Sequence, residues 1–126
     1  MLAQGFDLSV HCLQIHEDLY LLPNGNIDDI INHSCEPSAG IQLTATGHRL
    51  IALRDIAPGD ELTYDYSTYI TNPREHMVCT CGARTCRGHI GPFRDLPLAL
   101  RHRYIEHGVV GAFAVADARR TLALAG

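Results

Sequence analysis

The chain has 126 residues, of which 46% are hydrophobic, so it is long enough for one domain with a modest core. Its 14 acidic and 10 basic residues give a net charge of −4, which argues against a protein that binds a phosphate backbone. No apolar run approaches the ~18 residues of a membrane span, and the first residues lack a signal peptide's basic flank. The sequence therefore predicts a cytoplasmic domain that binds neither nucleic acid nor membrane directly.

The first predicted elements are short strands within residues 8–21. Apolar residues there nearly alternate with polar ones, a period of two that is typical of β-strands rather than helices. Residues 23–26, Pro-Asn-Gly-Asn, are a turn signal. His11 and His16 fall on the predicted strands, and we interpret each as a surface or hydrogen-bonded histidine because no partner at metal-ligand spacing accompanies it.

Residues 31–37 read Ile-Asn-His-Ser-Cys-Glu-Pro. An amide, an imidazole, a hydroxyl and a thiol occupy four consecutive positions shortly before a proline, which stops regular structure. Burying such a run without hydrogen-bond partners is costly, so we expect later segments to supply the partners. Asp28 and Asp29 precede the run, and we predict that they cap a helical turn leading into it.

The middle of the chain is predicted to be β-structure. Residues 41–43 and 50–53 suit two strands joined by a hairpin turn around residues 46–48. Residues 57–60, Ala-Pro-Gly-Asp, suit another turn before a strand over residues 61–66, Glu-Leu-Thr-Tyr-Asp-Tyr. The predicted fold class is mostly β with small helices.

The five cysteines are an odd number, which argues against a fully paired disulfide framework. Cys79, Cys81 and Cys86 lie within eight residues, a spacing that suits wrapping one tetrahedral ion. Zinc takes four thiolates in closed structural sites, and Cys35 is the natural fourth ligand. Cys12 is then a reduced thiol packed as a small hydrophobic residue. A redox-active trio is the alternative, but it gives no reason for the Asn-His-Ser-Cys run.

Beyond the cysteines the apolar spacing changes to a helical period. A first helix is predicted to start near Pro97 and to stop at Gly108, with Arg101 and Arg103 pointing outward. Its apolar face is formed by Leu96, Leu100, Tyr104 and Ile105. A second helix is predicted over residues 112–124. We interpret both helices as packing or oligomer surface.

Three runs of the sequence resemble motifs of the SET-domain protein-lysine methyltransferases. Residues 32–37, Asn-His-Ser-Cys-Glu-Pro, and residues 59–66, Gly-Asp-Glu-Leu-Thr-Tyr-Asp-Tyr, are similar to the two core motifs of that family. Residues 79–88, which read Cys-Thr-Cys-x4-Cys-Arg-Gly, are similar to its post-SET zinc motif. The three runs occur in the family's order, and an alanine-rich chain whose basic residues are all arginine fits a bacterial source.

The resemblance implies a β-clip-like SET fold with a knotted C-terminal motif, a post-SET zinc site and C-terminal helices. The SET domain would occupy residues 1–76, the zinc motif residues 77–92, and a helical extension residues 93–126. The resemblance also places Cys35 as the fourth zinc ligand beside the three later cysteines.

The implied activity is transfer of a methyl group from S-adenosylmethionine to a lysine of a protein or peptide. Asn32 and His33 would hold this cofactor, through the Asn side chain and the His backbone. Tyr66 would be the catalytic tyrosine at the methyl-transfer pore. Tyr64 would be the second catalytic position, where a tyrosine goes with fewer added methyl groups, so we expect mono- or dimethylation. The mild acidity of the chain permits an acidic groove for a basic peptide, or it only keeps the protein soluble.

The sequence departs from the family's pattern at its front, because no glycine-bearing strand segment of the kind that contacts the cofactor precedes Asp18. Three explanations fit: an upstream start, a second chain that completes the fold, or a relic that keeps the zinc module and half the pocket. We expect a homodimer, because a sheet without its first strands leaves an open edge, and weak binding of S-adenosylmethionine by a monomer. The alternative function is a non-catalytic SET-like fragment that binds a peptide or protein.

Overall fold

The computed structural model describes residues 13–16, 19–21, 31–45 and 47–125. The predicted strand over residues 8–12, the turn at residues 23–26 and the capping aspartates at 28 and 29 lie outside the described residues, as do His11 and Cys12. None of the helices in the described ranges combines the length and the apolar character that a membrane crossing requires.

Eight short strands make up the β-structure of the described residues. In chain order they are β1 (Leu13–His16), β2 (Leu19–Leu21), β3 (Asn32–His33), β4 (Ala39–Thr44), β5 (Gly47–Ala52), β6 (Thr63–Tyr64), β7 (Met77–Val78) and β8 (His89–Ile90). Three pairs of consecutive strands are antiparallel: β1 with β2, β4 with β5, and β7 with β8. By contrast, β3 and β6 are far apart in sequence and pair in parallel. The mostly β fold class predicted from the sequence is confirmed.

The predicted hairpin is present, but its turn lies earlier than expected. Thr44 pairs with Gly47 across the ladder, so Gly47 and His48 belong to β5 rather than to the turn. The Thr44 hydroxyl donates to the Gly47 carbonyl at 3.0 Å, which closes the hairpin at this point.

The strand predicted over residues 61–66 is shorter than expected, because only Thr63 and Tyr64 pair as β6. A 3₁₀ helix over Tyr66–Tyr69 follows directly. Asp65 causes the change: its carboxylate accepts from the Ser67 amide at 3.1 Å, and its carbonyl accepts from the Thr68 amide at 3.1 Å. A capping aspartate of this kind competes with strand structure. The alternation of apolar and polar residues therefore predicts a strand that is too long at residues 65–66.

Two α-helices follow a short 3₁₀ helix at Phe93–Asp95. They are α1 (Leu98–Glu106) and α2 (Ala112–Ala125), close to both predicted ranges. Gly108, with φ of 69°, lies just beyond α1, in the left-handed region that glycine adopts readily. Ile105 was predicted to face inward but is 38% exposed, because it lines an open groove of about 350 Å³ between the two helices.

The main core joins the helices to the strands. Its buried side chains include Ile41 of β4, Tyr64 of β6 and Tyr104 of α1, together with Val109 and Phe113. A smaller core is formed by the buried side chains of Cys35, Ile70, Cys79 and Ile90. Tyr66 packs against both cores, so the predicted pore residue lies where the helices, the strands and the cysteine-containing segments meet.

Candidate functional site

The parallel pairing of β3 with β6 brings two of the predicted motifs together. Asn32 is opposite Thr63, and His33 is opposite Tyr64. The Ser34 amide continues the ladder by donating to the Tyr64 carbonyl at 3.1 Å. The expectation that later segments supply partners for the Asn-His-Ser-Cys run is therefore confirmed for this pair of segments.

Tyr64 and Tyr66 form an aromatic pair at the end of β6. Their ring centroids are 4.8 Å apart with planes tilted by 43°. Tyr64 is buried, whereas Tyr66 is half-buried and donates its hydroxyl hydrogen to the Ile31 carbonyl at 2.6 Å. Burial raises the pKa of Tyr66, so the hydroxyl stays protonated at neutral pH. Because its only hydrogen is already donated, the phenolic oxygen has lone pairs left to accept a hydrogen bond.

The His33 side chain connects Tyr66 to the cysteines. Its Nδ1 accepts from the Tyr66 amide at 3.0 Å, so the proton of a neutral ring lies on Nε2, which is 3.3 Å from the Cys35 sulfur. Burial lowers the pKa of His33, which favours this neutral form. The ring edge also meets the Tyr66 ring, with centroids 5.3 Å apart. The sequence predicts a role only for the backbone of His33, so this role of its side chain is visible only in the structure.

The Asn32 side chain is exposed, and its Nδ2 donates to the Glu61 carboxylate at 2.7 Å. This hydrogen bond fixes the orientation of the amide, so Oδ1 is the atom left to accept from a ligand. Glu61 is a functional candidate that sequence analysis missed. Its position in the same run as Tyr64 and Tyr66 was the available signal.

The four cysteines predicted to bind metal meet in the structure. The sulfur atoms of Cys35, Cys79, Cys81 and Cys86 all lie within 4.8 Å of one another, and all four are free thiols. The Cys79 sulfur is 3.7 Å from the sulfurs of both Cys35 and Cys86. Four Zn–S bonds of about 2.3 Å in a tetrahedron place sulfurs about 3.8 Å apart. The four sulfurs are therefore grouped at close to the spacing that a zinc ion requires.

Backbone amides stabilise negative charge on two of these sulfurs. The Arg87 amide donates to the Cys35 sulfur at 3.4 Å, and the Cys35 amide donates to the Cys81 sulfur at 3.5 Å. The second bond lowers the pKa of Cys81 to about 6, whereas burial raises the pKa of Cys35 to about 12 and also raises that of Cys79. A metal ion would supply the positive charge that the buried thiolates need.

Asp65 is the most connected polar group near the tyrosine pair, and its side chain is fully buried. Its Oδ1 accepts from the Arg87 guanidinium at 2.8 Å and from the Ser67 amide at 3.1 Å. Its Oδ2 accepts from the Tyr104 hydroxyl at 2.9 Å. Asp65 and Arg87 both lie in predicted motifs, but their pairing was not predicted, and nothing in the sequence indicates that Tyr104 joins them.

The Arg87–Asp65 ion pair predicts a large effect of substitution. Arg87→Ala leaves the buried carboxylate without its charged partner, so we expect the free energy of unfolding to fall by about 3 kcal/mol. Urea denaturation of the parent and the variant measures this change. Arg84→Ala, which removes an exposed arginine from the same loop, is the matched control and is expected to cost under about 0.5 kcal/mol. Equal losses in the two variants would contradict the assigned role of the buried pair.

Comparison with known proteins gives a family match in the region of these motifs. Residues 6–67 match the SET domain. This range includes β3, β6 and the tyrosine pair, and it ends before the three later cysteines and both α-helices.

The proteins that are similar in sequence to this chain include several histone-lysine N-methyltransferases. Histone-lysine N-methyltransferase Set2 of Drosophila melanogaster is 44% identical over 71 residues, which cover 53% of this chain and 3% of that protein. Histone-lysine N-methyltransferase 2B of Homo sapiens is 46% identical over 68 residues, or 51% of this chain and 2% of that protein. A histone-lysine N-methyltransferase, H3 lysine-4 specific, of Schizosaccharomyces pombe is 38% identical over 86 residues, or 64% and 9%. The chain thus spans less than a tenth of the length of these relatives.

Proposed function

We propose, from the match of residues 6–67 to the SET domain, that the chain is a protein-lysine methyltransferase that uses S-adenosylmethionine. The observation that carries the proposal is the placement of the half-buried Tyr66 hydroxyl beside the Asn32–His33 segment through the parallel pairing of β3 with β6. The names of the similar proteins, histone-lysine N-methyltransferases, support the same reaction and a lysine-bearing protein or peptide as substrate.

The reaction needs an uncharged amine. Lysine has a pKa near 10.4 and is mostly protonated at neutral pH, so an enzyme must favour the neutral form before the nitrogen can attack. S-adenosylmethionine supplies the activated methyl group when bound. The aromatic rings of Tyr64 and Tyr66 would exclude water from the amine and disfavour its charged form. The Tyr66 oxygen, whose hydrogen is donated to Ile31, would accept an N–H of the amine and orient its lone pair.

Asn32 and His33 are the residues that would hold the cofactor. The Asn32 amide is oriented by Glu61 with its oxygen available as an acceptor, which suits a positively charged amino group. His33 contributes its backbone at the β3 edge, while its side chain is occupied by Tyr66 and Cys35.

The remaining details of the proposal follow from the same geometry and the family resemblance. The four clustered thiols would hold one structural zinc ion, and the segments that cross near β3 and β6 would form the knotted motif. Tyr64, with its ring 4.8 Å from that of Tyr66, would narrow the pore and limit the product to mono- or dimethyllysine. The bacterial source, the cytoplasmic location and the homodimer stay predictions.

Calorimetric titration of the folded chain with S-adenosylmethionine tests the proposal. We expect saturable binding at one site per chain, weakened about tenfold by Asn32→Ala because one hydrogen bond to a charged group is lost. Light scattering on the same samples gives the oligomeric state in which binding occurs. Binding of a lysine peptide without any binding of S-adenosylmethionine would overturn the proposal and favour the non-catalytic interaction module.

A further inference from the structure

Helix α1, the first helix of the helical extension, contributes a polar side chain to the region of the proposed pore. Tyr104 is 1% exposed, and its hydroxyl donates to Oδ2 of Asp65 at 2.9 Å. Tyr104 lies well beyond residues 6–67, the range that matches the SET domain. A residue of the helical extension therefore hydrogen-bonds to the residue between the two pore tyrosines.

Asp65 determines where β6 ends and where the 3₁₀ helix that begins at Tyr66 starts. Its backbone is extended, with φ of −85° and ψ of 110°, and its carboxylate caps the 3₁₀ helix that starts at Tyr66. Arg87 and the Ser67 amide both bind Oδ1, whereas Tyr104 binds Oδ2. The Tyr104 hydroxyl is thus the side-chain donor that holds the second oxygen in place.

Loss of the Tyr104 donor would destabilise the position of the Asp65 carboxylate more than loss of a surface hydrogen bond would. The Asp65 side chain is fully buried, and a buried carboxylate oxygen that loses its partner must find another donor or move toward water. Any rotation of Asp65 moves the start of the 3₁₀ helix. Tyr66 would move with the start of this helix. Such a movement would disturb the hydrogen bond from the Tyr66 hydroxyl to the Ile31 carbonyl, which is 2.6 Å long and orients the hydroxyl.

We infer that Tyr104 is a positioning residue for Tyr66, acting through Asp65, so that the helical extension is part of the catalytic unit. The inference rests on the proposed function in one respect, the identity of Tyr66 as the pore tyrosine. It assigns a role in the reaction to a segment that the SET-domain match does not cover.

Tyr104→Phe tests this role by removing one oxygen atom and keeping the ring. We expect kcat for methyl transfer to a lysine peptide to fall roughly tenfold with little change in KM. A small displacement of a positioned group lowers the rate of the chemical step more than it weakens substrate binding. The matched control is Tyr69→Phe. Tyr69 is equally buried at 2%, but its hydroxyl donates to the Ile41 carbonyl rather than to Asp65. The control is expected to lose a similar amount of stability and to keep its kcat.

A second readout separates this inference from the proposed function. The ring signal of Tyr66 in a nuclear magnetic resonance spectrum of the tyrosine-labelled chain, assigned by its absence in Tyr66→Phe, should shift in Tyr104→Phe and not in Tyr69→Phe. This result would support the positioning role even if the chain transferred no methyl group. An unshifted Tyr66 signal in a folded Tyr104→Phe chain would overturn the role, as would equal losses of kcat in the two variants.

Hydrogen exchange on the parent chain covers the case in which Tyr104→Phe does not fold. The Ser67 amide, which donates to Asp65, should exchange with the same opening free energy as the amides in the middle of α1. Exchange of the Ser67 amide at a much lower opening free energy than α1 would contradict the coupling.

Discussion

Removal of zinc is expected to unfold the segment from β7 to β8 and to release His33 from its neighbours. Structural zinc contributes about 10–16 kcal/mol to folding in small zinc peptides, which is as large as the stability of a whole domain, usually about 5–15 kcal/mol. Without the ion, the Cys79 thiol and the Cys35 and Cys86 thiols 3.7 Å from it would have little to hold them together. Metal analysis of the purified chain should give one zinc per chain, and a strong chelator should reduce the near-ultraviolet circular dichroism of the tyrosines, because Tyr66 packs against the cysteine-containing core.

Cys35→Ser tests the contribution of the metal ion by removing one of its four proposed ligands. We expect this variant to lose zinc and to loosen Tyr66, because the Cys35 sulfur is also the neighbour of His33 Nε2. Thr80→Ala, an exposed change between two of the cysteines, is the control and should retain the metal. A folded chain that purifies without metal and with Cys79 disulfide-bonded to Cys86 would contradict the zinc site and favour the redox alternative.

Tyr66→Phe is expected to lower methyl transfer by about 10²-fold while the fold survives. The change keeps the ring that packs on Tyr64 and His33, and it removes the oxygen that is proposed to orient the amine. The lost hydrogen bond to Ile31 should cost only about 1 kcal/mol of stability. Single-turnover rates with a lysine peptide, together with urea denaturation, measure the two effects separately. Unchanged turnover in an active parent background would place the pore tyrosine elsewhere.

The chemistry of the motifs could be predicted from the sequence because it depends on residue types that need partners. Cys35 and the three later cysteines meet as a metal site requires, and the polar Asn32–His33 segment finds backbone partners in Thr63–Tyr64. The hairpin and both helices were also predictable, since their apolar periods differ and glycine or proline marks their ends.

The parts that sequence analysis missed are set by tertiary contacts. Asp65 ends β6 because its carboxylate finds the Ser67 amide, and strand periodicity carries no information about that hydrogen bond. Tyr104 has the spacing of an ordinary core residue of α1, and only the fold shows that its hydroxyl reaches Asp65. Ile105 fits the same helical period but is exposed, because the groove between α1 and α2 leaves that side of the helix uncovered.

Mass spectrometry of lysine peptides incubated with the zinc-loaded chain and S-adenosylmethionine tests the central claim most directly. The chain contains no lysine, so methyl groups found on lysine belong to the added peptide. We expect one or two methyl groups on the peptide lysine, none on a peptide in which arginine replaces that lysine, and a strong reduction with Tyr66→Phe. Absence of transfer to every peptide in a set that includes histone tails, from a folded chain that binds those peptides, would contradict the claim that this is a lysine methyltransferase.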